Sequence, residues 1–234
     1  MKAFKADLHM HTCFSADCLS EPSQVLQAAL AKGLSAIAIT DHNEIAGALE
    51  AERIAKEGGL RIQVIVGEEV LTSKGDLLVY FAKKRIAPGK LSHVLSEAKG
   101  QGAICAAAHP FDFARKGIDL RALPGSELAM IGAIEALNAR ATLQSQNDKA
   151  LLFAKERGLA MVAGSDAHHA SEIGAAYVEF SGVKLLDADA IANAKRRLCG
   201  GRSSPFVRLH SRLASMRKRF GWHGKVCGQT FSAL

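Results

Sequence analysis

The sequence predicts an α/β fold in which strands and helices alternate around an irregular barrel, followed by a basic C-terminal tail. Three observations carry this prediction. Short apolar runs alternate with amphipathic stretches through most of the chain, the pattern of a largely parallel sheet with crossover helices. His, Asp and Glu recur at the C-terminal ends of several of those runs, and closing a barrel brings such ends to one mouth. An open doubly wound sheet would need a crevice at its switch point, and the chain has no glycine-rich nucleotide loop to suggest one.

The elements follow in order. An opening strand runs into Asp7-Leu8-His9-Met10-His11-Thr12. Ser20 followed by Pro22 starts a helix that Gly33 stops. Residues 36–40 form a short buried strand with Asp41 and His42 at its end. A helix over 45–57 ends at Gly58-Gly59, and a strand over 62–66 runs into Gly67-Glu68-Glu69. Residues 69–72 and 76–82 flank Ser73-Lys74-Gly75 as a hairpin. A helix over 91–101 leads to a strand over 103–107 and then to His109-Pro110. Residues 111–126 read as a loop with little structure of its own. A strand over 131–137 ends at Asn138, and a helix over 144–157 is stopped by Gly158. A strand over 159–163 ends at Gly164-Ser165-Asp166-Ala167-His168. A last strand over 175–180 and a last helix over 188–198 complete the body, and Gly200-Gly201 marks the boundary to the tail. The expected organisation is thus a barrel over 1–199 and a tail over 200–234.

The chain has 234 residues, 48% apolar and 23% charged, a globular composition large enough to bury a sizeable core. No apolar run approaches the roughly 20 residues of a membrane helix, and polar residues interrupt any apolar signal region at the N-terminus. A cytoplasmic protein is expected. Five scattered cysteines do not resemble a disulfide framework and fit a reducing compartment. Cys13 and Cys18 could be soft metal ligands, but small buried side chains are the simpler reading.

The net charge of +7 is unevenly placed. Seven Lys and Arg and no acidic residue follow Gly200, leaving 23 basic and 23 acidic residues before it. The excess therefore belongs to the tail. Val207, Leu209, Leu213, Met216 and Phe220 fall at near-helical spacing with cations between them. Three readings are open for the basic stretch 202–225: packing onto the barrel, contact with an anionic membrane, and contact with nucleic acid.

The strand-end residues carry the chemistry. Residues i and i+2 of a strand share a face, so His9 and His11 present two imidazoles to one side, and Asp7 could orient one of them from behind. With them stand Asp17, Asp41, His42, Glu69, Asp76, His109, Asp166 and His168. This nitrogen-and-oxygen donor set suits zinc, manganese or iron, and its size implies two or three ions. Clustered ions suit hydrolysis of phosphate esters by an activated water. Neither a nucleophile elbow nor a P-loop offers another route. His93 reads as an ordinary helix residue and His169 as a solvated loop residue. Arg140, beside Asn138 at a strand end, could hold a substrate phosphate or could be a salt-bridging arginine. Arg115 and Lys116 are weaker candidates of the same kind.

Five segments resemble, in order, the motifs of the PHP (polymerase and histidinol phosphatase) family: residues 7–12, 39–42, 67–69, 108–110 and 164–168. Each motif alone is weak; the ordered set is specific and spans residue 6 to about 180. The resemblance implies a distorted (β/α)7 barrel and a metal-dependent phosphoesterase, most like the short free-standing members. It implies that His9, His11 and Asp166 bind a first ion, that Glu69 bridges to a second bound by His109, and that Asp17, His42 and His168 hold a third. Asp41 would support the site from behind. Many members carry His in the hairpin where this chain has Asp76, a harder ligand that would favour manganese or iron over zinc. The expected substrate is a small phosphomonoester, a nucleotide or an oligonucleotide end. The alternatives are a catalytically inactive binding or regulatory module whose tail engages nucleic acid or membrane, and a hydrolase of another bond using the same metals.

Overall fold

The computed structural model describes residues 3–204 together with Phe206, Leu213, Met216 and Arg217. Apart from those positions, the expected amphipathic tail lies outside the described residues.

Nine strands form one sheet: β1 (Phe4–Met10), β2 (Ala36–Ile39), β3 (Gln63–Thr72), β4 (Gly75–Tyr80), β5 (Ile104–Ala107), β6 (Ala133–Asn138), β7 (Ala160–Gly164), β8 (Ala176–Phe180) and β9 (Arg196–Gly200). The helices are α1 (Pro22–Ala31), α2 (Ala46–Glu57), α3 (Leu91–Gln101), α4 (Gly125–Leu128), α5 (Gln144–Arg157) and α6 (Ala188–Asn193). The strand order is β7-β6-β5-β4-β3-β2-β1-β8-β9.

The sheet curls until its ends meet at β1. The first half of β1 pairs antiparallel with β8 through Phe4, Lys5 and Ala6. Its second half meets the chain leaving β7: Asp166 donates its backbone N–H to the His9 carbonyl at 2.7 Å, and His11 donates to the Ala167 carbonyl at 2.9 Å. Seven strands therefore nearly close a barrel, with β8 and β9 as an appended pair. The expected distorted barrel is the observed one.

Three details differ from the sequence reading. The strand expected over 62–66 and the first hairpin arm are one continuous strand, β3. Its residues Gln63–Val66 pair parallel with β2, and from Gly67 it pairs antiparallel with β4. Gly67 permits this change of partner, because a Cβ there would lie 2.7 Å from the Val79 carbonyl oxygen. The expected final helix stops at Asn193, and Arg196–Gly200 forms β9 instead. There Arg197 lies opposite Glu179 of β8 and pairs with its carboxylate. The segment 111–126 is a compact loop of two 3-10 turns, Phe113–Arg115 and Leu120–Ala122, running into α4.

Small side chains let the barrel close around larger ones. Ala6, Ala36, Ala38, Ala106 and Ala133 come from four strands and surround Leu8, Ile65, Leu78 and Tyr80. Outside, α1 and α2 cover Met10, Ile37 and Ile39, and α3 and α5 cover Val79, Cys105 and Ile134. Burying a side chain of this size contributes about 1.5–3 kcal/mol. The strands are thus covered on both faces, as the short alanine- and isoleucine-rich runs of 36–39 and 104–107 require. Cys18 is buried and free, as the small-side-chain reading expects. Among the described residues no helix is long and apolar enough to cross a membrane.

Candidate metal centre

β1, β2, β5 and β7 deliver their imidazoles or carboxylates just past their C-terminal ends, and β3 and β4 deliver theirs from the hairpin. The nine expected ligands converge. Three groups, the first two sharing His11, each have donor atoms within 4.8 Å of one another: His9, His11 and Asp166; His11, His42 and His168; and Glu69, Asp76 and His109. Asp17 joins the second group, its Oδ2 standing 3.0 Å from His168 Nε2 and 3.6 Å from His42 Nε2.

Glu69 lies at the centre. Its Oε2 is 3.4 Å from the Nε2 atoms of both His9 and His11 and 3.0 Å from His42 Nδ1. Its Oε1 is 2.9 Å from His109 Nε2. One carboxylate thus touches members of all three groups.

Several of these atoms are buried without a hydrogen-bond partner: His9 Nε2, His11 Nε2, His109 Nδ1, Asp17 Oδ1 and Asp166 Oδ1. Leaving one such atom unpaired costs about 1–3 kcal/mol. Of these, His9 Nε2 and His11 Nε2 face Asp166 Oδ1 at 3.7 and 3.4 Å, an arrangement a cation would satisfy. The residues present therefore fit divalent metal ions.

Backbone strain marks the same place. His109 has φ 28° and Asp166 φ 54°, in the left-handed region that side-chain-bearing residues seldom enter. Such conformations cost about 1–3 kcal/mol each and cluster at functional sites.

Burial opposes protonation of His9 and His42, but Asp166, Glu135, Glu69 and Asp17 outweigh it and raise both pKa values well above the ordinary range. Burial and the neighbouring charges of His168 and His42 push the His11 pKa down to about 3, so its imidazole is neutral near pH 7. Burial opposes ionisation of Asp166, but Arg115 and His9 outweigh it and hold its carboxyl well below the usual range. Burial likewise opposes ionisation of Glu69, and His9 and His42 outweigh it. Burial and the charge of Glu69 push Asp76 up to about 6.

Other expected site residues take different parts. Asp41 accepts from the Thr12 backbone and hydroxyl at 2.7 and 2.6 Å and from the Ser15 hydroxyl at 2.6 Å. Ser15 Oγ in turn lies 3.2 Å from His11 Nδ1, so Asp41 supports His11 through Ser15. Asp7 was expected to orient an imidazole from behind. It instead accepts backbone N–H groups of Ser165 and Gly174, both at 2.9 Å, and ties β1 to the chain after β7. His93 is exposed on α3, outside the cluster.

Asn138 and Arg140 were candidate substrate contacts, with a salt-bridging role equally open for Arg140. Asn138 is fully buried. Its amide donates to Glu135 Oε2 and Asp166 Oδ2, and its carbonyl accepts from Arg115 and the Arg140 backbone. No donor or acceptor is left for a phosphate. Arg140 is buried 3.8 Å from Glu172, inside the wall. Arg115, the weaker candidate, is the arginine that reaches Asp166.

Sequence reasoning missed Glu135. Its Oε1 is 2.9 Å from His9 Nδ1, and its Oε2 accepts the His109 backbone N–H at 2.7 Å. The available signal was a lone acidic residue in the otherwise apolar run Ile131–Leu137.

A barrel whose mouth carries clustered imidazoles and carboxylates defines a candidate metal-binding class of α/β protein. The model of the PHP domain matches residues 7–199, and the chain belongs to that family. An uncharacterized protein of Methanocaldococcus jannaschii is 28% identical over 233 residues, covering 97% of this chain and 92% of that one. A second from the same organism is 35% identical over 118 residues, covering 46% of this chain and 68% of its own length. A two-domain protein from Bacteroides vulgatus, described as containing a predicted PHP-like metal-dependent phosphoesterase, superposes with a TM-score of 0.62 at 21% identity. The match covers 76% of this chain and 58% of that protein. At that identity the likeness supports the fold.

Proposed function

We propose that the chain is a metal-dependent phosphoesterase. The observation that supports this best is the gathering of imidazoles and carboxylates around Glu69, with His9 Nε2, His11 Nε2 and Asp166 Oδ1 lacking hydrogen-bond partners. His9, His11 and Asp166 would hold one ion, Asp76 and His109 a second, and Asp17, His42 and His168 a third, with Glu69 shared. Bound divalent ions supply a water that is deprotonated near neutral pH and the positive charge that a phosphoryl centre requires. The chain's own residues fix the geometry. Glu135 sets the tautomer of His9, leaving its Nε2 lone pair directed inward. Asp41 and Ser15 hold the 12–15 loop against His11. The low pKa of His11 keeps it unprotonated at working pH. The substrate is a phosphomonoester, a nucleotide or an oligonucleotide end, and the ions are zinc, manganese or iron.

Elemental analysis of freshly purified protein, paired with hydrolysis of a generic aryl phosphate, tests the reading. Roughly two to three ions per chain are expected, with hydrolysis lost on chelation and restored by the metal. Asp166→Asn, His9→Ala and Glu69→Gln should each abolish turnover in folded protein. Near-normal turnover in all three metal-replete variants would overturn the proposal.

A further inference from the structure

The two oxygens of Asp166 are treated differently. Oδ2 accepts from the Arg115 guanidinium and, at 2.9 Å, from the Asn138 side-chain amide. Oδ1 has no hydrogen-bond partner. It stands 3.4 Å from His11 Nε2 and 3.7 Å from His9 Nε2. A carboxylate oxygen offers two lone-pair directions. Two N–H donors fill both at Oδ2, and none is filled at Oδ1.

We propose that Arg115 is a positioning residue that blocks Asp166 Oδ2, so that Asp166 engages an ion through Oδ1 alone. The inference rests on the metal-centre reading above and adds a side chain to which no ligand motif points. The guanidinium forks, with one amino group on Asp166 Oδ2 and the other 3.1 Å from Asn138 Oδ1. Asn138 also contacts Glu135, which holds His9. Arg115, Asp166, Asn138, Glu135 and His9 therefore form one chain of contacts, buried except at the half-buried Arg115, that links two candidate ligands from β1 and β7.

The loop that carries Arg115 is fastened at both ends of the site. The Lys116 carbonyl accepts the backbone N–H of Asp76 at 2.9 Å, and Asp112 Oδ2 accepts the Thr142 N–H at 2.7 Å. Within the loop, Gly117 donates to the Asp112 carbonyl at 2.9 Å. The turn Phe113–Arg115 is thus rigidly placed, and the guanidinium arrives pre-oriented. A lysine at this position offers one ammonium point and cannot span both acceptors in the same way.

The test substitutes cobalt(II) into the full-length chain and reads its visible absorption, which is strong in low-coordinate sites and weak in six-coordinate ones. In Arg115→Ala, Oδ2 regains a lone pair and Asp166 can chelate through both oxygens. The visible band should weaken, and affinity for the first ion should rise, because a second oxygen is freed and a cation beside the site is removed. Added guanidinium ion should restore both. Arg115→Lys should lie between wild type and Arg115→Ala, and it carries the same test should the alanine variant fail to fold. An unchanged cobalt spectrum and affinity in a folded variant, by circular dichroism, would overturn the role of Arg115 and leave the metal centre standing. Wild-type protein that takes up no cobalt would overturn both readings together.

Discussion

Glu135 Oε1 lies 2.9 Å from His9 Nδ1, across the inside of the barrel from β6 to β1. Its other oxygen accepts from the His109 backbone and from Asn138, so the carboxylate receives three N–H donors and gives none. A carboxylate satisfies this arrangement and an amide cannot, because an amide turns one NH2 toward a donor. Glu135→Gln should therefore keep the fold and weaken manganese binding by about 10–100-fold, read by titration calorimetry. Wild-type affinity in that variant would show that Glu135 only fills space.

The ligand set was more legible in the sequence than the groups behind it. His9, His11, His42, Glu69, His109, Asp166 and His168 announce themselves because imidazoles and carboxylates stand at the ends of apolar strands. Glu135 sits in mid-strand, where an acidic residue gives no hint of its partner 126 positions away. Asp7 illustrates the opposite failure. Its parity with His9 suggested an orienting role, but a register shift in β1 between Asp7 and Met10 breaks the simple alternation. The barrel was legible from alternation together with the His, Asp and Glu residues at the strand ends. Strand β9 was not, since Arg196–Gly200 becomes a strand only through pairing with β8.

Gly164, the last residue of β7, presses on β1 where His9 begins. A Cβ at that position would lie 2.7 Å from the His9 backbone nitrogen and 3.0 Å from its Cα, and backbone atoms cannot step aside as a flexible side chain can. Gly164→Ala should cost about 1–3 kcal/mol of stability, the range for overpacking, and should displace His9 enough to reduce metal uptake. Gly89 has open space around its would-be Cβ, so Gly89→Ala serves as the control with little effect. Denaturant melts and metal content of the two variants decide the matter; equal behaviour would mean that β1 and β7 can separate at no cost.

Glu68 faces away from the metal cluster's centre and is fully buried, with Oε1 accepting the Ile86 N–H at 2.8 Å and Oε2 without a partner. Burial pushes its pKa up to about 7 from the ordinary 4.5. Between those values the unfolded chain gives up the proton that the fold retains. This contribution to stability is therefore present in full below about pH 4.5 and is lost as pH rises through 7. Glu68→Gln resembles the protonated form and does not titrate. Urea unfolding of chelator-treated protein should show the variant gaining stability relative to wild type from pH 5 to pH 8. A pH-independent difference would show that Glu68 ionises normally.

Asp76 is where this chain departs from the histidine that many family members carry in the hairpin, and the structure brings it to Glu69 and His109. Two carboxylates and one imidazole make a harder donor group than one carboxylate and two imidazoles, and harder donors favour manganese over zinc. The backbone of Asp76 is pinned independently of its side chain: its N–H donates to the Lys116 carbonyl and its carbonyl accepts from Ala108. Asp76→His should therefore leave the hairpin in place while exchanging the donor. It also removes a like charge beside Glu69, which helps to hold the Asp76 pKa up near 6. The expected result is a higher zinc-to-manganese affinity ratio, measured by competition between the two ions with elemental analysis of the bound fraction. Asp76→Asn separates charge from donor type, since it removes the charge without supplying nitrogen from a ring. If Asp76→His leaves the ratio unchanged, Asp76 does not touch the ion, and Glu69 and His109 must complete that group without it.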